Sequence, residues 1–412
     1  MSVSAPADRS VPRAARKAGD TSRDGRGRLL TTPPILQYGF RPFFFLAALY
    51  AGLAIPLWLF VYLVGVELPG PFDGLHWHAH EMLFGYLGAV IAGFVLTAIP
   101  NWTGRLPISG RPLALLVALW LAGRLANLLS PDPYLALAVD LAFPALLAFA
   151  VWREVVAGRN WKNAPVAVMI SLFGLANAAD HAANLYLLPH ELGHQLAVAV
   201  AAALIALIGG RIVPSFTRNW LAREKVAKLP ASFGAVDKAA LVATVVAMAA
   251  WVVAAESPFT GVLLVAAGAL LALRLARWQG LRTLSEAILF VLHLAYGWLA
   301  AALALLGLSI LTPAVPSSAA LHALTAGAVG TMTLAVMTRA SLGHTGRTIV
   351  ADRSIVGMYV LVTLGAVLRV AAPFADSWYI ATLAAGGSLW SAGFLLFAVR
   401  YAPILWGRRI GA

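Results

Sequence analysis

Nine histidines and no cysteine set the chemistry open to this 412-residue chain. Three of them, His80, His194 and His322, each begin an apolar stretch that ends 23 residues later on a threonine beside polar or basic residues: Thr103-Gly104-Arg105, Thr217-Arg218-Asn219 and Thr345-Gly346-Arg347. At about 1.5 Å per helical residue that interval is roughly 35 Å, enough to cross a hydrocarbon core of about 30 Å. Each stretch reads as a membrane helix carrying an imidazole at the same depth. Imidazoles so placed suit a haem iron or a copper ion. The lack of cysteine excludes disulfides, thiolate-ligated haem, iron–sulfur clusters and covalent c-type haem, which leaves non-covalent haem b and copper on nitrogen or oxygen ligands.

The other histidines extend the ligand set. His76 and His80 stand four residues apart, on one helix face, with His78 turned away, and all three are candidate metal ligands. Such a pair can chelate one metal, or supply one haem ligand and its hydrogen-bond partner. His190 and His194 repeat the spacing beside Glu191, although His190 follows Pro189 and falls outside the helix. His181 shares one face of the fifth span with Asn177, Asp180 and Asn184, a costly set at that depth unless it meets a cavity, a cofactor or a partner helix. Asp180 is suited to orient His181 or another imidazole as a hydrogen-bond acceptor. His293 falls near mid-membrane in the ninth span, as a second haem ligand, a proton-relay group or a packed polar residue. His344 belongs to the opposite membrane face from the other ligands. Arg124 and Arg369 sit at otherwise cation-poor helix ends, where a guanidinium would pair with haem propionates.

The elements that must position these groups are membrane helices. The chain is 61% hydrophobic and 11% charged, with a mean hydropathy of +0.82. It reads as an all-α integral membrane protein with twelve spans near 42–65, 76–100, 112–129, 134–152, 164–188, 192–216, 237–255, 259–277, 283–308, 319–339, 354–372 and 378–400. The marked helices are the second, sixth and tenth, which predicts three four-helix repeats, about 36–157, 158–280 and 281–412, within a single domain 35–412. Residues 1–34 lack an apolar signal-peptide core and read as a disordered basic tail suited to anionic lipid. Lys and Arg gather before the first span and in every even-numbered connection, whereas Glu67, Asp73, Asp132, Glu191, Glu256 and Asp376 occupy the others. The bias predicts cytoplasmic termini, and it accounts for the net charge of +13 without nucleic acid.

Twelve helices in a pseudo-threefold ring, with metal-binding histidines on the second, sixth and tenth, are similar in arrangement to the catalytic subunit of the haem-copper oxidases and nitric oxide reductases. That family's adjacent histidine pair on helix 7 has no counterpart here, since 237–255 contains no histidine. A narrower resemblance rests on Gly39-Phe40-Arg41-Pro42-Phe43-Phe44, Trp77-His78-Ala79-His80-Glu81-Met82-Leu83-Phe84-Gly85, Pro100-Asn101-Trp102-Thr103-Gly104, Phe216-Thr217-Arg218-Asn219-Trp220 and the run from Met337 to Arg347. Together these resemble the NnrS family from Gly39 onward. The resemblance implies a haem- and copper-containing protein of bacterial inner membranes, associated with denitrification and protection from nitric oxide.

Two function classes follow. One is a haem-copper protein that binds or turns over nitric oxide at an outward-side centre; as a redox enzyme it would draw on an electron donor, quinol or cytochrome. The other is a transporter, or a metal or cofactor carrier without redox chemistry. Transporters ordinarily show five- or six-helix repeats and polar residues near the midplane, whereas polar residues here gather at the outer edge. That difference favours the first class.

Overall fold

The computed structural model describes residues 32–411, and of 101–103 only the backbone. Most of the expected basic tail therefore lies outside the described residues. The described chain is helical, without strands, and twelve helices are long and apolar enough to cross a membrane. They are α1 (Phe40–Val64), α2 (Gly74–Pro100), α3 (Arg111–Leu129), α4 (Pro133–Ala157), α5 (Trp161–Asn184), α6 (Leu192–Arg223), α7 (Ala235–Val253), α8 (Pro258–Ala276), α9 (Ala287–Leu311), α10 (Ser317–His344), α11 (Arg353–Phe374) and α12 (Asp376–Trp406). The number of spans is the one expected, and the protein is a multi-pass membrane protein. Its outer wall presents exposed apolar side chains such as Phe149, Leu175, Val245 and Phe259, as a surface facing lipid requires.

Helices α2, α6 and α10 are the most enclosed, 78%, 67% and 72% buried against 33–61% for the others. They form the interior of the bundle, and α6 packs against both α2 and α10. Each breaks its α-helical register with a π-turn: Glu81–Leu87 in α2, Ile205–Gly209 in α6 and Ala323–Val329 in α10. A π-turn weakens the local carbonyl ladder and turns the residues before it relative to those after it. At all three an outer helix answers with an N–H donor. Trp120 Nε1 of α3 donates to Gly85 O at 3.0 Å, and Trp390 Nε1 of α12 donates to Ala326 O at 3.2 Å. Arg274 of α8 donates to Ala206 O at 3.0 Å and Gly210 O at 3.3 Å, and its Nε bonds Asp237 Oδ1 at 2.9 Å.

Two expectations about helix ends need correction. Thr217 does not end its helix: α6 runs on to Arg223, and Thr217 Oγ1 bonds back to Val213 O at 2.8 Å inside it. The helix starts also differ. Asp73 caps α2, accepting from Leu75 N and His76 N, both at 2.9 Å, so His76 sits in the first turn. His194 and His322 are the third and sixth residues of α6 and α10, so equal spacing to threonine does not give equal position on the helix.

The tryptophan bonds at the π-turns generate a stability prediction. Trp120→Phe and Trp390→Phe keep an aromatic ring but lose the indole N–H and some buried volume, leaving a largely buried carbonyl without its donor, and each should cost at least about 1–2 kcal/mol. Thermal unfolding in detergent would register this as a lowered Tm. An unchanged Tm in both variants would mean that the π-turns do not need these donors.

Candidate metal centre

The histidines at the acid-rich end divide into two layers. The inner layer is a buried ionic cluster. His80, fully enclosed, bonds Asp180 Oδ2 through Nδ1 at 2.7 Å and Asp140 Oδ2 through Nε2 at 3.0 Å. His80 thus turns one ring nitrogen to each acid, and Asn127 Nδ2 also lies 3.0 Å from its Nε2. Asp140 Oδ2 also receives Asn177 Nδ2 at 3.1 Å and His181 Nε2 at 3.2 Å. Arg124 bridges Asp140 Oδ1 and Glu81, with Nη1 at 2.6 Å from Glu81 Oε2. Asn127 Nδ2 donates to Glu81 Oε1 at 3.1 Å, and Tyr50 OH donates to Glu81 Oε2. Phe72 covers this group, its ring 4.6 Å from His76 and His80 and 5.2 Å from His181.

The outer layer faces a cavity of about 520 Å³. Its wall carries His76, His78, His190, His194 and His322, with Arg369, Trp58 and Trp390 among the remaining lining. Asp180 joins the layers. Its Oδ2 lies 3.1 Å from His76 Nε2, and its Oδ1 lies 2.9 Å from His194 Nε2. That second pair is within ion-pair range but lacks hydrogen-bond alignment, and neither atom has a hydrogen-bond partner among the described residues. Two unaligned ligand atoms at this separation can share a cation between them. The ligand atoms of His76, Asp180 and His194 lie within 4.8 Å of one another, as do those of His80, Asp140 and His181.

Charge separates the two groups. Glu81, Asp140 and Asp180 face a single guanidinium, Arg124, so carboxylates outnumber permanent cations in the cluster, and the imidazoles make up the rest of the surroundings. A metal ion at His76, Asp180 and His194 would offset that excess without disturbing the inner bonds. Gly193 sets that geometry, because a Cβ there would meet Asp180 Cα and N at 2.5 Å. Only glycine lets α6 approach α5 closely enough.

At the far side of the cavity His322 is pinned by Nδ1, which donates to Ser318 O at 2.8 Å. The carbonyl fixes the tautomer and leaves Nε2 as a bare lone pair. Arg369 donates from Nη2 to Ser318 Oγ at 3.1 Å, while Nη1 has no partner among the described residues. That arrangement suits an anionic group in the cavity.

The remaining expectations fare differently. Arg124 is buried and both its Nη atoms are committed to Glu81 and Asp140, so its guanidinium fork is not turned toward propionates. His80 is not equivalent to His194 and His322: both its nitrogens are engaged in the inner layer. His78 does reach the cavity, stacked on Trp58 at 4.2 Å between centroids, because the cavity wraps around α2. His181 turns to Asp140, and Asp180 instead orients His76 and His80. His293 joins neither layer; it bonds Thr217 Oγ1 at 2.8 Å near the basic end. His344 packs on Phe40 at 5.5 Å there. Asp140, Glu81, Asn127, Tyr50 and Phe72 were not singled out from sequence. Asp140, a lone acid within an apolar span, was the visible signal.

A family model described as NnrS protein matches residues 34–409. No curated protein matches the chain.

The inner cluster generates the second prediction. Arg124→Ala strands two buried carboxylates and should destabilise the fold by about 3–5 kcal/mol. Arg124→Ala combined with Glu81→Gln removes one of the stranded charges and should recover part of the loss. Thermal melts of both purified variants decide it, and equal Tm values for wild type and Arg124→Ala would contradict the assigned pairing.

Proposed function

The chain belongs to the NnrS family, and from that premise we propose that it is a haem- and copper-binding protein of the nitric oxide response, binding or turning over nitric oxide in the cavity at the acid-rich end. The observation that carries the reading is His322, whose Nε2 lone pair is left free on the cavity wall by the bond from Nδ1 to Ser318 O. The donors there would suit a b-type haem: His322 or His78 would hold the iron, Trp58 and Trp390 would supply apolar walls, and the unpaired Nη1 of Arg369 would meet a propionate. Copper fits His76, His194 and Asp180, a nitrogen and oxygen set, with His190 close by at 6.4 Å from the His76 ring.

A haem iron with an open position supplies binding of a diatomic ligand and one-electron chemistry. The residues do the rest. Asp180 fixes the tautomer and direction of His76, and His80 holds Asp180 in place from behind at 2.7 Å. The apolar lining, including Met82, Leu83, Val198 and Val329, limits water and favours an uncharged gas over ions. The polar groups gather at one end of the bundle around a closed ionic cluster, which speaks for a fixed centre over a carrier that must alternate.

The charge bias supports placement in the bacterial inner membrane with cytoplasmic termini and the cavity facing outward. With an even number of spans both termini lie on one side. Reporter fusions at Gly234 and at Ser317 should therefore report opposite sides, Gly234 inside; a periplasmic signal at Gly234 would reverse the orientation.

Purified wild-type protein should show a Soret band and bound copper. His322→Ala should lose haem, and His194→Ala should lose copper while keeping haem. His344→Ala, about 33 Å from His322 by helix rise, should keep both. Wild-type protein that stays colourless and metal-free after expression in haem-replete cells would overturn the proposal.

A further inference from the structure

A second cavity, of about 1020 Å³, lies between α8, α9 and the turn that joins them, near the basic end. Its walls are small and apolar, Gly268, Ala272, Gly297 and Ala304 among them, and Ala269 and Ala301 on its rim are exposed. It opens sideways from the bundle, in the lipid-facing wall. Nothing in the metal centre uses it.

Its polar end is His293. The side chain is only 5% exposed and lines the cavity. Thr217 Oγ1 donates its own hydrogen to Val213 O at 2.8 Å, so toward His293 Nε2, also at 2.8 Å, it can only accept. Nε2 therefore carries the ring hydrogen, and Nδ1 is a bare acceptor with no partner among the described residues. A buried acceptor left unmade is costly. The space in front of it is kept by Gly280, where a Cβ would stand 2.7 Å from Nδ1. Trp298 lines the same cavity with an indole N–H that also has no acceptor among the described residues. It lies five residues further along α9, about 7.5 Å along the axis.

We propose that this groove binds the aromatic head of a membrane hydroquinone, a ring with hydroxyls on opposite carbons and an apolar tail. One hydroxyl donates to His293 Nδ1, and the oxygen at the other end accepts from Trp298 Nε1. The tail leaves along the small-residue wall into lipid. The donor pattern selects this occupant. An acyl chain satisfies neither group, and a phosphodiester has acceptors only, so it cannot meet a bare lone pair. The site stands independently of the proposed metals.

The probe is decylubiquinol, titrated against the purified full chain in phosphatidylcholine nanodiscs under reducing conditions and read by equilibrium partition and by quenching of tryptophan fluorescence. Wild type should bind saturably. Gly280→Ala, which crowds Nδ1, and His293→Phe, which removes it, should each weaken binding about tenfold; Trp298→Phe should weaken it less, and all three should keep the wild-type Soret band. If His293→Phe does not fold, Gly280→Ala and Trp298→Phe still decide. No saturable binding, binding unchanged in these variants, or equal displacement by added phosphatidylethanolamine would overturn the assignment, the last by identifying a lipid groove. Loss of haem or copper in wild type would count against the metal centre alone.

Discussion

A carboxylate buried inside a membrane bundle stays ionised only if charge and hydrogen bonds surround it, and Asp140 and Asp180 impose that requirement on everything near them. His80 lies between the two acids and turns a ring nitrogen to each. Arg124 closes the group on the side of Asp140 and Glu81. Because these residues come from α2, α3, α4 and α5, satisfying the acids fixes the relative position of four helices. Removing any one partner leaves a charge with no water to turn to.

The π-turn that follows His80 makes this arrangement reachable. An α-helix in strict register would place Glu81 and Gly85 with respect to His80 by 100° steps. The wider turn over Glu81–Leu87 lets His80 and Glu81 both stay buried in one cluster and presents Gly85 O to Trp120. In α10 the same device follows His322, but there the neighbours are Ser318 and Arg369, and the imidazole is tied at one nitrogen only. In α6 the π-turn falls well past His194 and is held by Arg274 instead. Three similar helices thus carry three imidazoles of different character: one locked at both nitrogens, one free at Nε2, and one beside a carboxylate that it does not hydrogen-bond.

That difference marks the limit of what the sequence disclosed. The twelve spans were legible because hydropathy over about 20 residues is a local property. The second, sixth and tenth helices stood out by their recurring histidine and threonine, although not as the interior of the bundle. The facing of each side chain was not, since a π-turn leaves no reliable mark in a run of Ala, Leu and Gly. His78 was placed away from the ligands by the helical period, yet the cavity curves around α2 to meet it. Arg124 was assigned to an external anion because its acids, Glu81 and Asp140, are 43 and 16 residues away in the chain. Asp180 was rightly read as an acceptor for imidazole, but which imidazoles it holds depends on the contact that Gly193 permits between α5 and α6.

The two layers divide labour by the state of their lone pairs. In the inner layer nearly every donor meets an acceptor, so it is rigid and its groups have little left to offer a ligand. In the outer layer His322 Nε2, Asp180 Oδ1, His194 Nε2 and Arg369 Nη1 remain available around one cavity. A metal centre needs both conditions, because ligands that are free to bind are also free to turn unless something behind them is fixed. Asp180 meets both: one oxygen is held by His80 and His76, and the other is turned to His194. The position of the outer side chains is thus set by the burial of the inner acids, and under the proposed function the excess of carboxylates would favour a cation at the edge of the cluster.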